Sequence, residues 1–412
     1  MRRKALLITV VVLLLLSNLG TYMISTGRLP WLHALGQLPQ GSREYQTFLQ
    51  VLGRIQQDFV DEAKAQDADT LLRGATAGLV QALEDPYSEY MDPDEFQRFL
   101  TGSVSGNYTG VGIEITSEGG FVTVIAPIKD TPAYRSGILP MDKILAVDGT
   151  SVVGWTVQEA AELIRGPSAT PVTLTIRREG LAQPFDVSMV REQIRLQTVE
   201  FKMLEPGIGY LHLTAFREDT ASGARAALER LRESGMRVLI FDLRNNPGGL
   251  LDQSVEVAGL LVAEGVVVTT KYRDGREQVH RAPGPGLGLP IIALVNGSSA
   301  SAAEIVAGAV QDRGAGILVG TRTFGKALVQ NLFDLPDGGG LKLTTARYLT
   351  PNGRDINRNE DGTGGIVPDV AVENLTPEPG QLRVRLDDPG DPLNVQLRRA
   401  IELARDRLAP VP

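Results

Sequence analysis

The segment IIALVNGSSASAA at residues 291–303 ends an apolar run in a glycine and three serines, Ser298, Ser299 and Ser301, before a second apolar pattern begins. A serine at such a strand-to-helix junction has two uses. It can cap the helix by accepting a backbone N–H, and all three serines compete for that role. It can also be a nucleophile, because unpaired N–H groups and the positive end of the helix dipole favour charge building on an attacked carbonyl oxygen. Ser301 stands where the strand turns into the helix. Ala302 would supply one N–H to such an oxyanion. Gly248 in NNPGG would supply a second, its missing side chain letting the backbone approach a substrate.

A nucleophilic serine needs a base. The chain has three histidines: His33 in a linker, His212 within an alternating strand, and His280 before a Pro/Gly-rich loop. None has a serine and a carboxylate close in sequence, and none has metal-ligand spacing, so no metal or cofactor is expected. Lys326 is the alternative. It follows the apolar strand GILVG and lies between Phe324 and ALV. A lysine works as a base only when neutral. From a reference value near 10.4, titrating about three pH units lower costs about 4 kcal/mol, which an apolar, dry pocket can supply. Gln330, four residues on, would orient the amine if this segment is helical.

The elements that must place these residues read as α/β. Between residues 208 and 350 the strands GYLHLTAF, VLIFDL, IIALV and GILVG alternate with helical patterns, one with Ala224, Ala227, Leu228 and Leu231 on a single face. Both reactive segments follow strand ends, where ligands sit in such folds. Residues 104–190 are short β runs divided by Gly and Pro, with one helix. That helix opens on a capping box, Thr156 with Glu159. Trp155 is placed to staple onto Ala160, and Val157, Ala160, Ala161 and Ile164 form its stripe. Phe48, Leu52 and Ile55, and then Leu71, Ala75, Leu79 and Ala82, suggest helices up to the prolines of EDPYSEYMDP.

Arg2, Arg3 and Lys4 precede an apolar run from Ala5 that extends to Ile24. About twenty residues at 1.5 Å each match a bilayer core of about 30 Å. The basic flank places the rest of the chain outside the cytoplasm, as a single-pass protein of the cell membrane. A net charge of −8 argues against nucleic acid as the partner. The chain lacks cysteine, which removes disulfides and thiolate chemistry.

LVNGSSASAAEIVAGAVQD followed by VGTRTFGKALVQ resembles the carboxyl-terminal processing, or tail-specific, proteases. In that family a serine and a lysine 25 positions later form a catalytic dyad, and a glutamine follows four residues after the lysine. Since 326 − 301 = 25, the resemblance selects Ser301 over its neighbours, with Lys326 and Gln330. FDLRNNPGGLLDQSVEVAGL, EDPYSEYMDP and YLTPNGRDIN match further family segments. YTGVGIEI resembles the glycine-rich loop of a PDZ domain, whose Gly110, Val111, Gly112 and Ile113 would take a peptide's terminal carboxylate. The resemblance also implies a crotonase-like core and a regulatory PDZ arginine, for which Arg165 in LIRGPSA is the counterpart. Two departures stand beside the dyad: Ala303 where the family often has Ser, and Ala327 where it often has Gly.

The expected architecture is thus α/β and α+β multidomain. It comprises a transmembrane anchor (1–26), a linker (27–43), a helical subdomain (44–103), a PDZ domain (104–191), a protease core (192–375) and a peripheral C-terminal tail (376–412). The expected partners are protein or peptide substrates with free C-termini, with self-association left open. Two rivals are a membrane-anchored PDZ adaptor with an inert core and a crotonase-like acyl-thioester enzyme; an exported chain disfavours the latter.

Overall fold

The structure, a computed structural model, describes residues 42–104, 107–128, 130–195, 197–359, 361–375 and 385–408. The expected anchor at 1–26 lies outside these residues. Among the described residues no helix is long and apolar enough to cross a membrane. Residues up to 79 form one compact unit and those from 80 a second.

The first unit is helical: α1 (Arg43–Asp58), α2 (Glu62–Gln66) and α3 (Ala68–Gln81). Ser42 caps α1 by accepting from the Tyr45 N–H, and Asp61 caps α2 by accepting from the Lys64 N–H. On the predicted faces Leu52, Ile55, Leu71 and Ala75 are half-buried, while Phe48 and Leu79 stay exposed.

The second unit opens on the turn at residues 84–88. β1 (Glu89–Met91) follows, inside the segment read as helical, and then α4 (Pro93–Phe99), started by an Asp92/Glu95 capping box with Pro93 in the first turn. The β-rich stretch comprises β2 (Asn107–Gly110), β3 (Ile113–Glu118), β4 (Phe121–Pro127), α5 (Pro132–Arg135), β5 (Lys143–Val147), β6 (Thr150–Ser151), α6 (Val157–Ile164), β7 (Pro171–Arg177), β8 (Phe185–Val190) and β9 (Glu192–Arg195). Its antiparallel sheet runs β3-β4-β5-β7-β8, with β6 on β5, and β2 pairs separately with β9. Val172, Leu174 and Ile176 alternate inward from β7, so this sheet has one covered face. The Thr156/Glu159 capping box starts α6 as the sequence predicts. Ala160 and Ile164 are buried, with Trp155 packed on the same cluster.

The remaining elements are β10 (Val199–Glu205), β11 (Ile208–Leu213), α7 (Thr220–Glu233), β12 (Val238–Asp242), α8 (Leu251–Leu261), β13 (Gly265–Tyr272), β14 (Glu277–Ala282), β15 (Ile291–Val295), α9 (Ala302–Asp312), β16 (Gly316–Gly320), β17 (Leu328–Asp334), β18 (Gly340–Leu349), β19 (Val370–Ala371) and α10 (Val395–Leu408). The main sheet runs β10-β11-β12-β15-β16-β19, parallel from β11 onward. β11, β12 and β15 are buried at every position, which is why they read as apolar runs without alternation. Leu239, Phe241 and Ala293 face α7, α8 and α9. Ile240, Ile292 and Leu294 face α10.

That last contact corrects the reading of residues 376–412 as a peripheral tail. Leu397, Ala400, Ile401 and Ala404 of α10 are buried and cover the second face of the sheet. Four small or branched residues among many charged ones made the stripe easy to pass over. A second sheet, β1-β18-β13-β14 with β17 on β18, completes the core. In it Glu89 pairs with Lys342 and Met91 with Gly340.

Candidate active site

β15 ends at Val295, and the chain reaches α9 through a tight turn. Ser299 is fully buried there; its hydroxyl donates to Leu243 O (2.8 Å) and accepts from Asn296 N–H (3.0 Å). Its capacity is used in building the turn. Ser301 is different. It sits at φ 54°, ψ −116°, a conformation an L-residue adopts at a cost of about 1–3 kcal/mol. Ser301 also borders a pocket of about 130 Å³, beside Gly249, Ala302, Ile305, Val329 and Gln330.

The residue that determines this geometry was not singled out from the sequence. Glu304, fully buried one turn into α9, accepts four hydrogen bonds. Oε2 takes the N–H groups of Ser301 (2.9 Å) and Lys326 (2.8 Å); Oε1 takes Gly325 N–H (2.7 Å) and Thr323 Oγ1–H (2.5 Å). A single carboxylate therefore ties the backbone of Ser301 to that of Lys326. Burial raises the Glu304 carboxyl above its ordinary range, against the lowering effect of those donors. Tyr348 on β18 makes a second tie. Its hydroxyl lies 2.8 Å from Lys326 O and 3.1 Å from Ser301 O, and shares its hydrogen between them. The spacing S-x-x-E at 301–304 is the signal that would have found Glu304.

Side chains are another matter. Lys326 is half-buried, and burial, followed by the like charge of Lys342, lowers its pKa; Asp85 and Glu304 oppose the shift. Its Nζ makes no hydrogen bond to Ser301 Oγ. It lies over the ring of Tyr87, 4.2 Å from the centroid. Gln330 belongs to β17, not to a helix: Val329, Leu332 and Phe333 pair antiparallel with β18, and β-branched and aromatic residues suit that pairing. Its Nε2 donates to Thr344 Oγ1 at 3.1 Å.

The NNPGG segment packs against the serine. Gly248 has φ +102°, and a Cβ there would meet Ala302 N and Ser301 Cβ, each at 2.9 Å. Only glycine fits. The Gly248 N–H itself donates to Asn246 Oδ1 (2.9 Å), whereas the Ala302 and Gly249 N–H groups have no acceptor among the described residues. Asn246 is buried and holds Leu213 O through Nδ2. Behind it, buried Asp242 and Arg244 pair at 2.5 Å, and Arg244 reaches Asn394 Oδ1 (2.8 Å) just before α10. Burial alone would raise the Asp242 carboxyl, but the Arg244 guanidinium holds it below its usual range.

His212 does gain a carboxylate, Glu200 at 3.2 Å across the β10–β11 pair, yet its buried Nε2 has no partner among the described residues. It forms no triad. Among the described residues no group of three acidic or histidine side chains comes together as a metal would need. Ala303 and Ala327 are both fully buried in the core beneath the site.

In the β-rich domain Val111 is core, and Gly112 has φ +78° where a Cβ would strike Thr131. Thr131 Oγ1 donates to Gly112 O at 3.1 Å, and Ala133 N–H to Val111 O at 2.9 Å, so the Gly110–Ile113 loop is pinned through its carbonyls. Arg165 stands exposed at the C-cap of α6. The buried arginine here is Arg191, which caps the end of α6 at Ile164 O (2.9 Å) and Leu163 O (2.9 Å).

Sequence comparison agrees with this architecture. Residues 207–372 match peptidase family S41, residues 123–178 a PDZ domain, and residues 35–95 the N-terminal domain of the activating protease CtpB. A carboxy-terminal-processing protease of Bartonella bacilliformis is 40% identical over 320 residues, covering 76% of this chain and 72% of the relative. The carboxy-terminal processing protease CtpA of Bacillus subtilis is 35% identical over 335 residues, covering 81% and 70%. A putative S41 protease from Bacteroides fragilis, 17% identical, shares the fold with a TM-score of 0.55 over 80% of this chain and 90% of that one. This is a mixed α/β multidomain chain with a PDZ domain and an S41 core, and it belongs to the carboxy-terminal-processing proteases.

Proposed function

We propose that the chain is a membrane-anchored, extracytoplasmic serine endopeptidase that captures substrate C-termini through its PDZ domain and cleaves with a Ser301–Lys326 dyad. The observation that carries this reading is the double tie, Glu304 and Tyr348, between the two residues' backbones, beside a pocket that Ser301 and Tyr348 line. The basic residues and apolar run before residue 25 support the anchor.

Neutral Lys326 removes the Ser301 hydroxyl proton as Oγ bonds to the substrate carbonyl carbon. The oxygen of that carbonyl takes the negative charge and is met by the Ala302 N–H and by Gly248 once its N–H leaves Asn246. The Lys326 ammonium then returns its proton to the departing amine as the C–N bond breaks. Water, deprotonated by Lys326, adds to the resulting ester; as the C–Oγ bond breaks, the lysine ammonium gives that proton to Ser301 Oγ and the acid product leaves. Gln330 lines the pocket from β17 rather than from a helical turn after Lys326. Leu250, Ile305 and Val329 give the pocket an apolar wall for the side chain next to the cut.

Two features describe a resting arrangement: the Lys326 amine lies over Tyr87, and the Gly248 N–H is occupied. Apo sites commonly tighten only with substrate bound. The decisive comparison is cleavage of an unfolded protein substrate by the full chain and by Ser301→Ala. Loss of at least about a thousandfold is expected. Unchanged cleavage would overturn the assignment, and peptide binding without turnover by the unaltered chain would identify an adaptor instead.

A further inference from the structure

The contact between Lys326 and Tyr87 is not part of the chemistry above, and it is built with care. Tyr87 lies in the turn after α3. Its N–H donates to Asp85 Oδ1 (3.1 Å), Asp85 Oδ2 accepts from Ser88 Oγ (2.6 Å), and Ser88 Oγ accepts from Thr344 N–H (3.0 Å) on β18. The turn is thereby bolted to the strand beside the site, and the half-buried ring is presented from a fixed base. Lys326 Nζ meets the ring 4.2 Å from its centroid and, among the described residues, makes no hydrogen bond or ion pair. The charged groups facing it are Asp85 in the turn, Glu304 on α9 and Lys342 on β18.

An aromatic face attracts an ammonium and has no comparable hold on a neutral amine. The contact therefore distinguishes the two protonation states of the lysine. It holds the acid form and releases the base form, the only one that can take a proton from Ser301. We propose that Tyr87 is a positioning residue for the reaction: its ring holds the Lys326 ammonium off Ser301 between turnovers and sets the pH at which the lysine becomes available. The proposal rests on the reading of Lys326 as the base.

The test is a ring series in the full chain, Tyr87→Trp, Tyr87→Phe and Tyr87→Leu, each checked for an unchanged thermal midpoint. Competitive acylation with acetic anhydride across pH, read by mass spectrometry at Lys326, gives the lysine's titration without any need for activity. Lys271, paired with Glu277, is the internal reference. Trp is the strongest and Leu a null cation–π partner. The midpoint should therefore fall in the order Trp, Tyr and Phe together, then Leu, with Leu about one pH unit below Tyr. The acid limb of kcat/KM on an unfolded peptide should move in step. An unchanged Lys326 midpoint across the series would overturn the proposal, as would a Phe variant that shifts like Leu, which would assign the effect to the hydroxyl. The Trp variant, predicted to move the midpoint upward, keeps the test decisive if Leu fails to fold. A midpoint that moves while the acid limb stays fixed would overturn the dyad assignment and the proposal with it, leaving only the ring contact.

Discussion

The serine side and the lysine side of the site are built by opposite rules. Around Ser301 everything is committed. The backbone is held in an unusual conformation, α9 is buried from Ala302 to Val310, Ser299 and Asn296 close the turn, and Glu304 and Tyr348 lock the two backbones together. Around Lys326 only the main chain is locked. Its amine rests on an aromatic ring, and the charged groups around it, Lys342, Asp85 and Glu304, come from three different elements. The difference teaches that the frame of the proposed dyad is tightly built while its proposed proton-accepting end is adjustable. A strained nucleophile needs a rigid surround to persist, whereas a base must change charge in every cycle.

This contrast is open to direct attack. The largest effect is expected from Glu304→Gln. An amide can present only one acceptor oxygen where the carboxylate presents two, so at least one of the N–H groups of Ser301, Gly325 or Lys326 loses its partner. A buried unsatisfied donor costs about 1–3 kcal/mol of stability. Displacing the nucleophile by about 1 Å costs about a hundredfold in kcat. Denaturant melts and single-turnover rates check both numbers, and a variant with normal kcat would show that the frame is not fixed by this carboxylate.

Tyr348→Phe should do less. It removes one shared hydrogen bond in a buried place, worth about 1 kcal/mol, and should reduce kcat by about tenfold or less with KM unchanged. Equal losses in kcat and stability across both variants would blur the distinction between the two ties.

The smallest effects test the adjustable side, and their sign matters. If Lys326 is the base as proposed, its active form is the neutral one, so activity should rise as pH climbs through its pKa, which burial and Lys342 hold below the ordinary lysine value. Lys342→Gln removes a like charge and should move the acid limb of kcat/KM to higher pH. Asp85→Asn removes a charge that favours the ammonium and should move it lower. Shifts of about half a pH unit are the scale expected for partly solvated neighbours. Shifts in the same direction for both would contradict the picture.

Much of the core's order was legible in the sequence because local signals carried it. The runs VLIFDL and IIALV, the stripe Ala224-Ala227-Leu228-Leu231 and the Thr156/Glu159 box each say what they are within a few residues, and the structure places them accordingly. What stayed hidden depends on distant parts of the chain meeting. Tyr87 reaches Lys326 only because β1 joins β18 and the preceding turn hangs its Ser88 on Thr344. α10 looked peripheral because its sparse apolar residues gain meaning only against Ile240 and Leu294. Helical spacing would set Gln330 one turn from Lys326, yet its neighbours favour a strand once β18 is there to pair with. Glu304 was visible as the fourth member of S-x-x-E, but a cap and a brace for two segments look the same until Lys326 folds back onto it.

The central claim is that Ser301, and not a neighbouring serine, attacks the substrate. The most direct measurement is to treat the full chain with a serine-reactive fluorophosphonate and locate the adduct by peptide mass spectrometry. The account predicts a single adduct on Ser301, formed faster as pH rises and absent in Lys326→Met. An adduct on Ser298 or Ser299, or one on Ser301 that forms equally well without Lys326, would contradict it.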